Sequence, residues 1–285
     1  MTISGKARLA GVIGWPVAHS LSPRLHGYWL STLSVDGMYV PMAVQPGDLA
    51  AVLRTLPKMG FRGVNLTVPH KEAALGAVDE VGATARRLGA ANTIVVDDDG
   101  RLHASNTDGF GFIENLRQSA PGLDLRAAPA VVIGAGGAAR AIVAALSDAG
   151  CPDIRLVNRT RDRAEALAGD LGGPIEIVDW PARADCLCDA GLLVNTTSLG
   201  MIGQPPLDLS LDKLDPGTLV TDIVYAPLET GLLVAARARG NPVVDGLGML
   251  LHQARPGFEA WFGVRPEVTD ELRHHVLAGL GRRSP

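Results

Sequence analysis

The sequence predicts an α/β fold in two domains: an N-terminal α/β domain, then a doubly wound domain of the Rossmann type, with C-terminal helices returning to the first. Three observations carry this. Short apolar runs alternate with helical patterns along the whole chain, which favours α/β architecture with a mainly parallel sheet. At 285 residues the chain can bury two cores of ordinary size. In "VVIGAGGAARAIVAAL" a buried strand, a glycine-rich turn and an amphipathic helix follow one another.

In chain order, "LAGVIG" reads as the first strand and "SPRLHGYWLSTL" as a helix, with Ser22 at the N-cap and Pro23 at N1. "MYVPMAV" is the next strand, and "DLAAVLRTLPKMG" a helix ended by Gly60. In "GVNLTVPHKEA", Val64, Leu66 and Val68 alternate with Asn65 and Thr67, which predicts one apolar and one polar strand face. Pro69 stops that strand and Lys71 falls in the first turn of a following helix. "AANTIVVDDDGRLHASNTD" is a hairpin with "DDDG" as its turn.

A helix opens at "DGFGFIENLRQ", and after the polar stretch 119–129 come strands at 130–136, 154–160, 175–178, 191–198 and 218–225. "DGLGMLLHQARPGFEAWFG" and a tail helix close the chain. The domain boundary falls near Asn106–Asp108 and the return near Asp245–Gly248. The first domain is thus 1–107 completed by 246–285, and the second is 108–245.

Composition narrows the function. The formal net charge is −4 and no dense Lys/Arg stripe occurs, which argues against nucleic-acid binding. The chain has no charged-then-apolar leader, and its most apolar stretch, Ala127 to Leu146, is broken by Pro129, glycines and Arg140. A soluble cytoplasmic protein that does not bind membranes is expected. Cys151, Cys186 and Cys188 lack a C-x-x-C spacing and read as small buried or half-buried residues in a reducing compartment. No metal is implied, and His274 and His275 read as solvated.

The glycine turn is the most informative local motif. Gly134-x-Gly136-x-x-Ala139 fits the dinucleotide fingerprint: Gly134 allows the tight turn, Gly136 lets backbone approach a pyrophosphate, and Ala139 permits close helix–sheet packing. The following helix would present its N-terminal amides to the anion. An acid at the end of the next strand would bind a free ribose 2′-hydroxyl, but Asn158, Arg159, Thr160 and Arg163 stand there instead. Guanidinium groups pair with a 2′-phosphate, so NADP is favoured over NAD.

Other residues leave two readings open. Ser20 and Ser22 are a turn residue and a cap, or a pair gripping a substrate carboxylate at a helix N-terminus. Lys71 is a solvated lysine, or a cation held beside a polar strand face against an opposing helix dipole. Asp108 caps the next helix, or pairs with Lys71.

Together "GWPVAHSLSPRLH", "GVNLTVPHKEA", "GAANTI", "SNTDGFG", "VVIGAGGAARA", "VNRTRDRA", "VNTTSLGM" and "DGLGMLLHQA" resemble, in order, the motifs of the shikimate dehydrogenase family, from Leu9 to about Phe262. The resemblance implies reversible NADP-dependent reduction of 3-dehydroshikimate to shikimate in aromatic amino-acid biosynthesis. It implies a catalytic Lys71 with Asp108 as its partner, and Ser20 and Ser22 on the substrate carboxylate. Asn65, Thr67, Asn92, Asp108 and Gln253 are implied to line the ring-hydroxyl pocket, with Tyr225 near the carboxylate. Gly134, Ala135, Gly136, Gly137 and Ala138 match the pyrophosphate loop. Asn158, Arg159, Thr160 and Arg163 match the adenosine-phosphate site, and Ile223 and Gly246 flank the nicotinamide. His70 and Ala83 depart from common family residues and carry no assigned role. Both monomers and homodimers fit the family. The rival readings are a shikimate/quinate dehydrogenase using NAD or NADP and a non-catalytic metabolite sensor on the same fold.

Overall fold

The computed structural model describes residues 3–280. The chain divides into two compact units, residues 1–107 with 253–285, and residues 108–252. Residues 246–252, assigned by sequence to the first domain, pack with the second unit.

The first unit is built on a six-stranded sheet of β1 (Arg8–Gly14), β2 (Gly37–Ala43), β3 (Phe61–Leu66), β4 (Glu80–Val81), β5 (Thr93–Val96) and β6 (Leu102–Ser105). Its order is β2-β1-β3-β5-β6-β4. β1 runs parallel to both neighbours, whereas β5 is antiparallel to β3 and β6, so this sheet is mixed. The antiparallel part is the anticipated hairpin, turned at Gly100 with φ +79°. Helices α1 (Ser22–Thr32), α2 (Leu49–Thr55) and α3 (Ala83–Leu88) complete this stretch. The predicted helix through Gly60 stops at Thr55, because Pro57 cannot continue it; a 3-10 turn follows, and Gly60 adopts φ +77°.

The second unit opens with α4 (Asp108–Ser119) and holds a fully parallel sheet of β7 (Ala130–Ile133), β8 (Ile154–Asn158), β9 (Ile175–Asp179), β10 (Leu192–Asn195), β11 (Leu219–Asp222) and β12 (Val243–Val244). The order β12-β11-β10-β7-β8-β9 reverses between β10 and β7, the switch point at which open α/β sheets bind ligands. Alternate residues of the strands feed two cores. Val132, Leu156 and Val194 face one, with Phe112 of α4 and Ile142, Val143 and Leu146 of α5 (Gly137–Asp148). Val131, Ile133 and Leu193 face the other, with Leu232, Leu233 and Ala236 of α7 (Gly231–Ala238). α6 (Arg161–Leu171) adds Ala164 and Leu167 to the first of these cores. Burying each large aliphatic side chain is worth about 1.5–3 kcal/mol, which anchors the loops at the strand ends.

α8 (Leu247–Phe262) begins in the second unit and from Gln253 onward belongs to the first, where α9 (Asp270–Leu280) also packs. In the first unit the indole N–H of Trp261 donates to the carbonyl of Ile94 at 3.0 Å. A Cβ on Gly63 (φ +151°) would collide with that carbonyl and that indole, so glycine is required there.

Three local expectations fail. Val68 is 71% exposed, because the strand ends at Leu66 and Val68 already lies in the turn that follows. Lys71 precedes a 3-10 turn at Ala73–Gly76 and no α-helix starts there, so the helix-dipole argument does not apply to it. His275 is half-buried against Tyr28, with ring centroids 5.1 Å apart, and its carbonyl accepts from Arg24; only His274 is solvated.

Candidate functional site

In the second unit, Gly134 follows β7 with φ +112°. A Cβ there would lie 2.7 Å from Thr196 Oγ1 and 2.8 Å from the Thr197 methyl carbon, so the turn has room only for glycine. Gly136 is the backbone N-cap of α5, and Gly136 and Gly137 are exposed while Ala135 and Ala138 are half-buried. Ala139 is fully buried against the sheet. The free amides of the first turn form an anion site, and a Cβ on Gly136 or Gly137 would meet nothing within 4 Å, so open space lies in front of them.

At the end of β8, Asn158 Nδ2 donates to the Thr160 carbonyl at 2.8 Å and fixes the turn. Arg159 and Arg163 are exposed and make no side-chain hydrogen bond or ion pair with another described residue. Arg161, between them, is tied to Glu165 and Asp179 at 2.8 and 2.6 Å. The two uncommitted guanidinium groups and the absence of a carboxylate at residues 158–160 suit a phosphorylated ribose. The residues present therefore fit a dinucleotide carrying a 2′-phosphate.

Beyond β10 and β11 lies a buried network that sequence reasoning missed. Asn195 Nδ2 donates to both oxygens of Asp222 at 3.1 Å, and Asp222 also accepts from the Val224 amide and the Thr230 hydroxyl at 2.9 and 2.7 Å. Asn195 Oδ1 accepts from the amide and hydroxyl of Thr197. Burial pushes the Asp222 carboxyl above its ordinary range, although its three donors oppose this. The network pins both ends of segment 223–230, which holds Ile223 and half-buried Tyr225. Gly246 lies against this segment, since a Cβ there would collide with the Ile223 carbonyl. The two positions assigned to the nicotinamide are thus neighbours. The missed signal was "NTTS" and "TDIVY", where polar residues end strands that are otherwise apolar.

In the first unit, the expected substrate residues are joined by hydrogen bonds. Asn65, 5% exposed at the end of β3, donates to the Asn92 carbonyl and to Thr93 Oγ1 at 3.1 and 3.2 Å, and its Oδ1 accepts from the Tyr39 hydroxyl at 2.7 Å. Asn92 Nδ2 donates to Thr107 Oγ1 and Gln253 Oε1 at 3.0 and 3.3 Å, while its Oδ1 accepts from the Thr107 amide. Thr107 Oγ1 in turn donates to the Gln253 carbonyl at 2.8 Å. Thr67 is half-buried beside Asn65 in sequence.

Ser22 forms no capping bond; Leu21 stands at the N-cap and Ser22 is the first helical residue. Its hydroxyl faces the phenol oxygen of Tyr39, and its amide donates to Ser20 Oγ at 3.2 Å. The capping role expected of Ser22 is therefore replaced by a polar contact. Half-buried Lys71 has its backbone fixed, its carbonyl accepting from Ala91 N at 2.8 Å. His70 is buried and its Nε2 bonds the Val44 carbonyl at 2.9 Å, a structural contact. Asp108 is the first residue of α4 in the other unit.

Among the described residues no group of three His, Cys, Asp or Glu is arranged to hold a metal ion. Cys151 is buried and Cys186 half-buried, but Cys188 is exposed, contrary to expectation, because it follows a 3-10 turn at the rim of β10.

Fold and site together define a two-unit α/β protein with a Rossmann-type dinucleotide site and a separate buried polar cluster. Comparison with known proteins narrows this. Residues 12–94 match the family model of the shikimate dehydrogenase substrate binding domain, 115–201 that of shikimate / quinate 5-dehydrogenase, and 246–270 that of the shikimate 5′-dehydrogenase C-terminal domain. The chain is 62% identical over 276 residues, 97% of its length and 100% of the relative's, to "Shikimate dehydrogenase (NADP(+))" of Paramagnetospirillum magneticum. A Thermus thermophilus shikimate 5-dehydrogenase in complex with NADP(H) and shikimate is 39% identical with TM-score 0.84, over 95% of this chain and 99% of that one. A Corynebacterium glutamicum quinate dehydrogenase in complex with NAD is 32% identical with TM-score 0.89, over 95% and 99%. The chain belongs to the shikimate dehydrogenase family.

Proposed function

We propose that this protein catalyses the reversible NADP-dependent reduction of 3-dehydroshikimate to shikimate, a step of aromatic amino-acid biosynthesis. The observation that carries the reading is the 62% identity, over 97% of the chain, to a protein named shikimate dehydrogenase (NADP(+)). Exposed Arg159 and Arg163 and the missing acid at the end of β8 support NADP over NAD. The quinate reading with NAD is not favoured: the structure that suggests it is 32% identical, whereas relatives named shikimate dehydrogenase (NADP(+)) are 56–62% identical.

In this reading NADPH, when bound, supplies the hydride that reduces the ketone. The chain's residues do the rest. Gly134 to Ala138 and the α5 N-terminus hold the pyrophosphate; Asn158, Arg159, Thr160 and Arg163 hold the adenosine phosphate. Ile223 and Gly246 flank the nicotinamide. Ser20 and Ser22 grip the substrate carboxylate, with Tyr225 near it. Asn65, Thr67, Asn92 and Gln253 order the ring hydroxyls, so the ketone is oriented before reaction. Lys71 is the proton donor to the developing alkoxide, with Asp108 as its partner. Such acid catalysis contributes roughly 10²–10⁴-fold.

The first domain, 1–107 completed by the C-terminal helices, binds the substrate, and the second binds the dinucleotide. Among the described residues no helix is long and apolar enough to cross a membrane. A cytoplasmic enzyme, as a monomer or homodimer, is the accompanying proposal. The deciding experiment follows NADPH oxidation at 340 nm as roughly millimolar 3-dehydroshikimate is added, with quinate and NAD in parallel arms. Turnover with shikimate and NADP is expected. Shikimate binding with no NADPH consumption would establish the sensor reading instead.

A further inference from the structure

The Asn65 amide has its orientation decided by its surroundings. The Asn92 carbonyl can only accept, and it already accepts from the Leu66 amide at 2.9 Å as well as from Asn65 at 3.1 Å. A flipped Asn65 would set oxygen against oxygen there, so Nδ2 must face Asn92 and Oδ1 must face Tyr39. Tyr39 must then be the donor in its 2.7 Å bond to Asn65. Both Nδ2 hydrogens are spent, on Asn92 and Thr93, and one lone pair of Oδ1 is spent on Tyr39. Asn65 therefore has no donor left for a ligand and can meet one only through its acceptor Oδ1, which also lies near the His26 ring.

Tyr39 is well placed to hold this arrangement. Its ring is 5% exposed and stacks on the imidazole of His26, with centroids 3.9 Å apart and planes 5° from parallel. The imidazole of His26 makes no hydrogen bond to the Tyr39 hydroxyl and lies beside the Asn65 amide, so it does not compete for that hydroxyl. Burial raises the phenol well above its ordinary range and keeps it a neutral donor at any working pH. The Ser22 hydroxyl contacts the same phenol oxygen, so Tyr39 links the serine end of the site to the asparagine end.

We propose that Tyr39 is a positioning residue of the substrate site: with both Nδ2 hydrogens turned to Asn92 and Thr93, its O–H holds Asn65 Oδ1 in place as an acceptor, selecting a ligand hydroxyl at that point and rejecting a carbonyl or ether oxygen. The inference rests on the proposed function, which names the ligand as a polyhydroxy ring acid. A site that must pair a ligand hydroxyl rejects an analogue lacking it, because its own polar atom is then left unpaired.

The test is steady-state kinetics of Tyr39→Phe, which keeps the ring and its stack on His26, beside Asn65→Ala and the double variant. For Tyr39→Phe the shikimate KM is expected to rise roughly tenfold, with kcat changed less than threefold and the NADP KM unchanged, in line with one lost buried hydrogen bond. The preference for shikimate over its O-methyl ethers should shrink. Because the selection acts through Asn65, adding Tyr39→Phe to Asn65→Ala should not reduce the preference for shikimate over its O-methyl ethers any further. A Tyr39→Phe shikimate KM within twofold of wild type, or additive losses of that preference in the double variant, would overturn the proposal. A parallel fall in kcat and in both affinities would overturn it too, marking a merely structural role. Should Tyr39→Phe not fold, Tyr39→His, which keeps an aromatic ring but moves the polar atom away from Asn65, makes the same comparison with the same outcomes. If wild-type protein turns over no shikimate, the proposed function fails first and the inference falls with it.

Discussion

The two candidate sites are built from different parts of the chain. In the second unit the groups proposed to hold the pyrophosphate are backbone: a glycine at φ +112°, exposed residues at the start of α5, and a strand switch point that aligns them. In the first the groups proposed to hold the substrate are side chains, Ser22, Asn65, Asn92 and Gln253, each held by a hydrogen bond or polar contact to residues far away in sequence. A backbone site needs only a few small residues in a row, and it tolerates many side chains around it. A side-chain site needs every polar group buried and satisfied, which requires residues from several elements. Substitutions should therefore act differently in the two units.

The largest effect belongs to the proposed acid. Lys71→Ala should lower kcat by roughly 10²–10⁴-fold with a much smaller change in shikimate KM, because the lost interaction exists mainly in the transition state. Steady-state rates across shikimate concentrations test this, and unchanged turnover would remove Lys71 from the mechanism.

Next comes Gly134→Ala. The methyl group has to fit 2.7 Å from Thr196 Oγ1 at a φ that alanine avoids, so the turn must move. The expected cost is about 1–3 kcal/mol of stability and at least a tenfold weaker NADPH affinity, read by thermal melting and fluorescence titration. Unchanged affinity would show that the turn does not contact the dinucleotide. The contrast is with Tyr39→Phe, whose effect should be confined to shikimate.

A smaller and more selective effect is expected from Arg159→Ala combined with Arg163→Ala. Neither guanidinium is committed to another described residue, so stability should be nearly unaffected. The NADP KM should rise by about tenfold or more, in line with about 1.5–3 kcal/mol for charge-assisted bonds, while the NAD KM stays level. Equal changes for both cofactors would place the arginines away from the 2′-phosphate.

This contrast also explains what could be read from sequence. The order of strands and helices, the hairpin and the glycine turn were legible because each rests on local pattern: period-2 or helical alternation, and glycine where φ is positive. The pairing of that hairpin with the parallel strands was not, since nothing local says that β5 runs against β3. Val68 followed the alternation of Val64 and Leu66 on paper, but Pro69 had already turned the chain. Ser22 looked like a cap because the cap signal is local, whereas its contact with Tyr39 crosses 17 residues of sequence. Tyr39 carried no motif, and Thr93 and Thr107 sat inside "GAANTI" and "SNTDGFG" with no role assigned; that they wire the polar cluster together became visible only in the fold. The same holds for Asp222, which the strand pattern placed inside a strand at 218–225 and which the structure puts at the end of β11.

The mildest expected effect concerns His26, a polar residue in the wholly buried aromatic cluster of Trp29, Tyr39, Phe258 and Trp261. Burial lowers its pKa from 6.5 to about 3, slightly opposed by nearby Asn65. The folded protein thus keeps His26 neutral where the unfolded chain, with a pKa near 6.5, takes up a proton. Between about pH 6.5 and pH 3 the unfolded state binds more protons, so this group's contribution is fully present above pH 6.5. It is lost as pH falls, by at most about 1.4 kcal/mol per pH unit. Unfolding free energies from urea titrations at pH 7 and pH 5.5 should differ by about 1 kcal/mol more in wild type than in His26→Phe, which keeps an aromatic ring against Tyr39 but cannot titrate. Equal pH dependence in the two proteins would mean that His26 is protonated in the folded state. The stack on Tyr39 would then carry a charge, and the neutral support assigned to Asn65 would have to be revised.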